Sequence, residues 1–292
     1  MKALCGKLFF FIVLYSGKDI MAEHKILLKE DRKQLAAFRL IDDDFFSEVL
    51  DGNVEAVQYI LDTVLGTGVL TVVHTESQAA YKSSLKRTAI LDVKAIGRDN
   101  EVVDIEIQRA KTGADPKRAR FHSGIIDRTL LEKGQKFREM PDLYIIFITE
   151  EDFYKRGFPL YHVSNTIMEL DHQEFGDGVR IIYVNGEYRG KEHPVGNLMH
   201  DFFCSDPNEM HDTVLKRDVR YMKESEEGRT HMGEIFDKIR KESEIRAKSE
   251  DIIKVMESFD VSLERAMDVL EIRKEDRAMY EEYIEDMKQM PA

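Results

Sequence analysis

Apolar and polar positions alternate along this chain with two different periods. From Phe45 the apolar residues Phe46, Val49 and Leu50, then Val54, Val57, Ile60, Leu61 and Val64, recur at three and four. That spacing predicts helix, with a break at Gly52 and a stop at Gly66-Thr67-Gly68. Val69 to His74 is rich in β-branched residues and reads as a first core strand. Ile90, Val93, Ala95 and Ile96 precede the polar run Gly97-Arg98-Asp99-Asn100, and Val102, Val103, Ile105 and Ile107 follow it. Turn residues between two such runs predict a hairpin. Asp115 before Pro116 is a helix start, continued by Phe121, Ile125, Ile126 and Leu130 toward a stop at Gly134. Leu143 to Thr149 is uninterrupted apolar sequence, as expected of a fully buried central strand. A strand, a helix and a strand in succession favour parallel pairing by a right-handed crossover. Tyr161–Leu170 and Val179–Val184 read as two further strands. From Asp206 the pattern is helical and highly charged, ending in a small module in which Ser262 caps the segment holding Leu263, Ala266 and Val269.

The hairpin carries more acid than its stability needs. With a three-residue loop, Arg98-Asp99-Asn100, and Asn100 in the left-handed region, Gly97 faces Glu101 and Asp92 falls opposite Glu106. Directly opposed side chains stand roughly 5 Å apart on one face. Gln108 shares that face because the period of a strand is two. A two-residue loop would separate the two acids, so the reading depends on register. Two carboxylates at about 4 Å repel by about 4 kcal/mol at an effective dielectric near 20. A divalent cation with oxygen ligands offsets that repulsion. The competing reading is a solvated strand face with scattered charges.

The segment RTAILDVKAIGRDNEVVDIEIQ, followed by RARFHSGIIDRTLLEKGQKFREMPDLYIIFITEEDF, resembles the PD-(D/E)XK nuclease family transposases, also called recombination-promoting nucleases. DDDFFSEVL before it, and DFFCSDPNEM and RYMKESEEG after it, extend the resemblance from about Leu40 to the charged tail. The resemblance implies an α/β, restriction-endonuclease-like mixed sheet flanked by helices, here with a helical C-terminal tail. It implies a metal-dependent DNA endonuclease, a Mg²⁺-dependent deoxyribonuclease with Mn²⁺ as the alternative ion. Asp92 and Glu106 would be the metal ligands, and Gln108 would orient the attacking water. Asp43, three residues before Phe46, matches an acidic position of the family and is a further site carboxylate, with a helix cap as its other reading. Gln108 stands where Lys is usual in the superfamily, and Leu91 where the name expects Pro; Gln occurs at this position in this branch. Gln donates hydrogen bonds but brings no charge, so the alternative is a catalytically degenerate fold acting as a DNA-binding or protein-interaction module.

Composition narrows the picture. The chain has 292 residues and a formal net charge of −13, so DNA must be met by local basic groups and not by the overall field. Lys111 precedes Asp115, and Lys117, Arg118 and Arg120 crowd the start of the helix after it, where cations oppose the helix dipole, which suggests phosphate contacts. A basic face paired with neighbouring acids is the other reading of the same residues. Lys82, Lys86 and Arg87 precede the hairpin and invite the same two readings. His122 reads as a packed residue. Cys5 and Cys204 match no disulfide or metal spacing, which favours a reducing, cytoplasmic compartment. No run approaches the ~20 apolar residues that span a membrane. Residues 1–20 form a hydrophobic leader upstream of a preferred start at Met21, residues 21–205 the nuclease-like domain, and residues 206–292 a charged helical region suited to homo-oligomer formation.

Overall fold

The computed structural model describes residues 29–81, 89–110, 113–131 and 134–289. The leader, the start at Met21, the basic residues Lys82, Lys86 and Arg87, and Lys111 lie outside the described residues. Three helices come first: α1 (Lys29–Ala37), α2 (Asp43–Leu50) and α3 (Val54–Leu65). The three-and-four spacing buries one side of α2 through Phe45, Phe46, Val49 and Leu50, and one side of α3 through Ile60, Leu61 and Val64. Gly52, at φ +64°, separates these two helices, and the Asn53 side chain caps α3 by accepting the Ala56 N–H at 3.1 Å.

The strands are β1 (Val72–Tyr81), β2 (Ala89–Gly97), β3 (Val102–Gln108), β4 (Leu143–Thr149), β5 (Leu160–Val163), the short pair β6 (Thr166–Ile167) and β7 (Gln173–Glu174), and β8 (Val179–Asn185). The main sheet has six strands in the order β1-β2-β3-β4-β8-β5. β1, β2 and β3 are antiparallel neighbours; β3, β4 and β8 run parallel; β5 returns antiparallel on β8. Between β3 and β4 lies α4 (Pro116–Leu130), so this crossover makes the parallel pair that the strand–helix–strand order predicts.

Two predicted strands are corrected. The first strand begins at Val72 and forms the edge of the sheet. Tyr161–Leu170 does not run as one strand: β5 ends at Val163, and Met168–Leu170 is a 3-10 turn between β6 and β7. The α4 stop is also earlier than Gly134, because the chain turns extended at Leu131.

The two faces of the sheet bury different partners. On one, Val103, Ile105, Ile107, Ile146 and Ile148 join α2, α3 and α5 (Val195–Phe203) in the larger core. On the other, Val102, Leu143, Ile145 and Phe147 pack under Ala119 and Ile126 of α4. The larger core does not stop at Ser205. Met210, Leu215 and Val219 of the segment around α6 (Thr213–Glu224), and Met232 and Phe236 of α7 (Glu226–Phe259), belong to it. A separate cluster of Ile252, Ala266, Met267, Ile272 and Ile284 ties the far end of α7 to α8 (Leu263–Val269) and α9 (Lys274–Gln289). Ser262 caps α8 by accepting the Arg265 N–H at 3.3 Å. Among the described residues no helix is long and apolar enough to cross a membrane.

Candidate functional site

The register of the hairpin brings the acids together. Ile96 pairs with Val102 and Val93 with Ile105, the Gly97 N–H donates to the Glu101 carbonyl at 2.8 Å, and Asn100 has φ +68°. This is the three-residue loop with a left-handed Asn. Beyond Val93 the side chains continue the pairing. The Asp92 N–H donates to Glu106 Oε1 at 3.2 Å, and the Ile107 N–H donates to Asp92 Oδ2 at 2.8 Å. Each carboxylate is therefore fixed on the other's strand.

Alternation along β3 puts Asp104, Glu106 and Gln108 on the face that α4 covers. Arg118 and His122, one turn apart on α4, reach down onto these acids. Arg118 NH2 is 2.9 Å from Glu106 Oε2, and His122 Nδ1 is 2.9 Å from Asp104 Oδ2 and 3.8 Å from Glu106 Oε1. α4 is set by its start: Pro116 occupies the first turn and the Asp115 carboxylate accepts the Lys117 N–H at 2.7 Å. Gln108 Nε2 donates to Glu106 Oε2 at 3.3 Å. Its Oε1 lies only 1.9 Å from where a Cβ on Gly113 would stand, so Gly113 leaves room for the amide. Beside Gln108 a cavity of about 220 Å³ opens toward Ala110, Thr149 and Phe153.

Burial dominates the electrostatics. Asp104 and Glu106 are fully buried. Desolvation is the first cause that raises the pKa of Asp92 and of Glu106; Glu106 adds to the rise at Asp92, and Asp104 to that at Glu106. Asp104 is pushed up to about 8, again first by burial, with the charge of Asp92 adding. Arg118 opposes all three rises. Asp104 Oδ1 is buried with no hydrogen-bond partner among the described residues. Two buried carboxylates with the half-buried Asp92 beside them, and one oxygen unpartnered, are a donor set that fits a hard divalent cation. The Asp104, Glu106 and His122 ligand atoms all lie within 4.8 Å of one another.

Asp43 is the first residue of α2, and its charge reaches Asp92 strongly enough to raise that carboxyl further. Its own pKa is raised by desolvation first and then by Asp44, against Arg109. Asp43 is not the cap of α2. Asp42 holds the cap position, but its carboxylate accepts from the Arg39 N–H at 2.8 Å and pairs with Arg109 at 3.0 Å instead of capping the helix. Arg109 also reaches Glu150 at 3.3 Å, which ties α2, β3 and β4 together at the rim of the site.

The predicted basic group divides. Arg118 is held on Glu106, the paired reading of that residue. Lys117 and Arg120 are exposed and make no ion pair among the described residues. Lys111 lies outside them. Sequence reasoning missed Asp104 and read His122 only as packing. The polar alternation Asp104, Glu106, Gln108 was visible in VVDIEIQ. The i, i+4 pair Arg118 and His122 was visible too, but nothing in the sequence said which strand α4 would cover.

The family model described as PD-(D/E)XK nuclease family transposase matches residues 44–191. No curated protein and no solved structure shows a significant match.

Proposed function

This chain belongs to the PD-(D/E)XK nuclease family transposases, and we propose that it is a divalent-metal-dependent DNA endonuclease hydrolysing phosphodiester bonds. The observation that carries the reading is the meeting of Asp92 and Glu106, each carboxylate hydrogen-bonded to the other's strand, with Glu106 fully buried and Asp92 half-buried beside it. In this reading both carboxylates hold the ion, Mg²⁺ or in its place Mn²⁺. When bound, the ion supplies a Lewis acid beside the scissile phosphate and a more acidic water. Gln108 orients the attacking water through its amide, which Gly113 and Glu106 hold in place. Asp43 accepts a proton or a water at the rim. Lys117 and Arg120, exposed on the first turns of α4, bind backbone phosphates on either side of the cut. Lys111 belongs to the same group. Arg118 neutralises Glu106 and keeps its carboxylate oriented.

Nicking of supercoiled plasmid tests this. Wild-type protein with Mg²⁺ should convert supercoiled to open-circular DNA, and EDTA, Asp92→Ala and Glu106→Ala should each abolish conversion while circular dichroism stays unchanged. Undiminished metal-dependent nicking by both variants would remove these residues from the mechanism. No nicking by wild type with either ion would favour a binding module on a degenerate site.

A further inference from the structure

We infer that Asp104 and the His122 imidazole are direct metal ligands beside Glu106, so that this site takes Mn²⁺ in preference to Mg²⁺. The inference rests on the metal-dependent reading above and adds two residues that it does not use. Three observations carry it. Asp104 is fully buried, as Glu106 is, and its Oδ1 has no hydrogen-bond partner among the described residues. A buried carboxylate oxygen without a partner is rare, and a cation is one of the few things that satisfies it. Next, His122 is also buried, and Nδ1, the ring nitrogen nearest the acids, lies 2.9 Å from Asp104 Oδ2 and 3.8 Å from Glu106 Oε1. Neighbouring donors on an octahedral ion with bonds near 2.1 Å are roughly 3 Å apart, so small shifts would seat an ion among them. Finally, Glu106 divides its oxygens: Oε2 serves Arg118 and Gln108, while Oε1 faces His122 and, among the described residues, takes the long 3.2 Å bond from Asp92 N–H.

A histidine kept only for packing accounts for its ring contacts with Phe121 and Phe147. The His122 hydrogen bond to Asp104 Oδ2 and its longer ion pair with Glu106 account for the two carboxylates around Nδ1, but they leave Asp104 Oδ1 without a hydrogen-bond partner among the described residues. A nitrogen donor changes ion choice. Mg²⁺ takes oxygen ligands and dehydrates reluctantly, whereas Mn²⁺ accepts carboxylates and stands above Mg²⁺ for imidazole.

Pulsed electron paramagnetic resonance of Mn²⁺ bound to the full chain is the test. It should be run in a His200→Ala/His211→Ala background, because these residues with Asp201 form the other histidine-and-acid group among the described residues. The expected spectrum shows ¹⁴N hyperfine coupling. His122→Leu should remove it and weaken Mn²⁺ binding about tenfold or more, with Mg²⁺ binding weakened less, and Asp104→Asn should weaken both ions by a similar factor. Bound Mn²⁺ without nitrogen coupling would overturn the inference and leave the nuclease reading standing. No Mn²⁺ binding at millimolar concentration would overturn both. Should His122→Leu fail to fold, His122→Gln gives the same readout.

Discussion

At the scale of single residues, position is set by what has been left out as much as by what is present. Gly113 is needed because its missing Cβ is the space that the Gln108 amide fills, at 1.9 Å. Gly113→Ala should displace Gln108 and lower plasmid nicking about a hundredfold, the scale of a misplacement near 1 Å, with circular dichroism unchanged. Nicking at the wild-type rate would show that Gln108 does not position the water. Lys223 gives a stability prediction of the opposite kind. It is buried, its Nζ donates to the carbonyls of Ala36, Phe38 and Ser205, and no carboxylate touches it among the described residues. Burial lowers its pKa to about 8 from an ordinary 10.5. The unfolded chain thus binds more protons between these two values, so stability must rise as pH climbs from about 8 to about 10.5. The gain is of order 3 kcal/mol, measurable by urea unfolding at both pH values. Lys223→Met should lack this rise, and the same rise in both proteins would assign it elsewhere.

At the scale of elements, the hairpin and α4 set the site between them. The β2–β3 turn needs φ +68° at Asn100. Asn100→Val should cost about 1–2 kcal/mol because a β-branched residue resists that region, and Asn100→Gly should be close to neutral. Equal urea midpoints for the two variants would mean that the turn does not constrain the register. The start of α4 was legible from Asp115 and Pro116, since a cap is a local matter of one side chain and one fixed φ. Its end was not. Gly134 looked like a stop, yet the helix closes at Leu130 and the chain is extended at Leu131. Asp42 and Asp43 show the same limit. A helix cap was the other reading of Asp43, but Asp42 holds the cap position and is claimed by Arg39 and Arg109, and Asp43 stands within electrostatic reach of Asp92.

At the scale of the whole molecule, the boundary drawn at Ser205 cuts through a core. Met210, Leu215, Val219, Met232 and Phe236 are buried with α2, α3 and α5. Each buried large apolar side chain contributes about 1.5–3 kcal/mol, so losing these would remove roughly 10 kcal/mol from a margin of about 5–15 kcal/mol. A chain ending at Ser205 should be unfolded or insoluble. One ending at Arg240 keeps the larger core and the 2.6 Å pair of Arg240 with Asp31, and should melt cooperatively within a few degrees of the full chain. A well-folded product ending at Ser205 would refute this accounting.

The hydrophobic pattern alone determined the helical start, the hairpin, the buried β4 and the parallel crossover, because periods of 3.6 and 2 report which side of each element leaves water. It also determined that Asp92 stands level with Glu106, once a turn type was chosen, because register follows from loop length. Tertiary structure decided the rest. Only the packing of α4 across β3 turned Arg118 and His122 onto the acids and made Asp104 a buried member of the cluster. Only the return of α6 and α7 onto α2 and α3 joined the charged tail to the core. Both depend on contacts between residues distant in sequence, and a one-dimensional pattern says that a face must be covered but not by what.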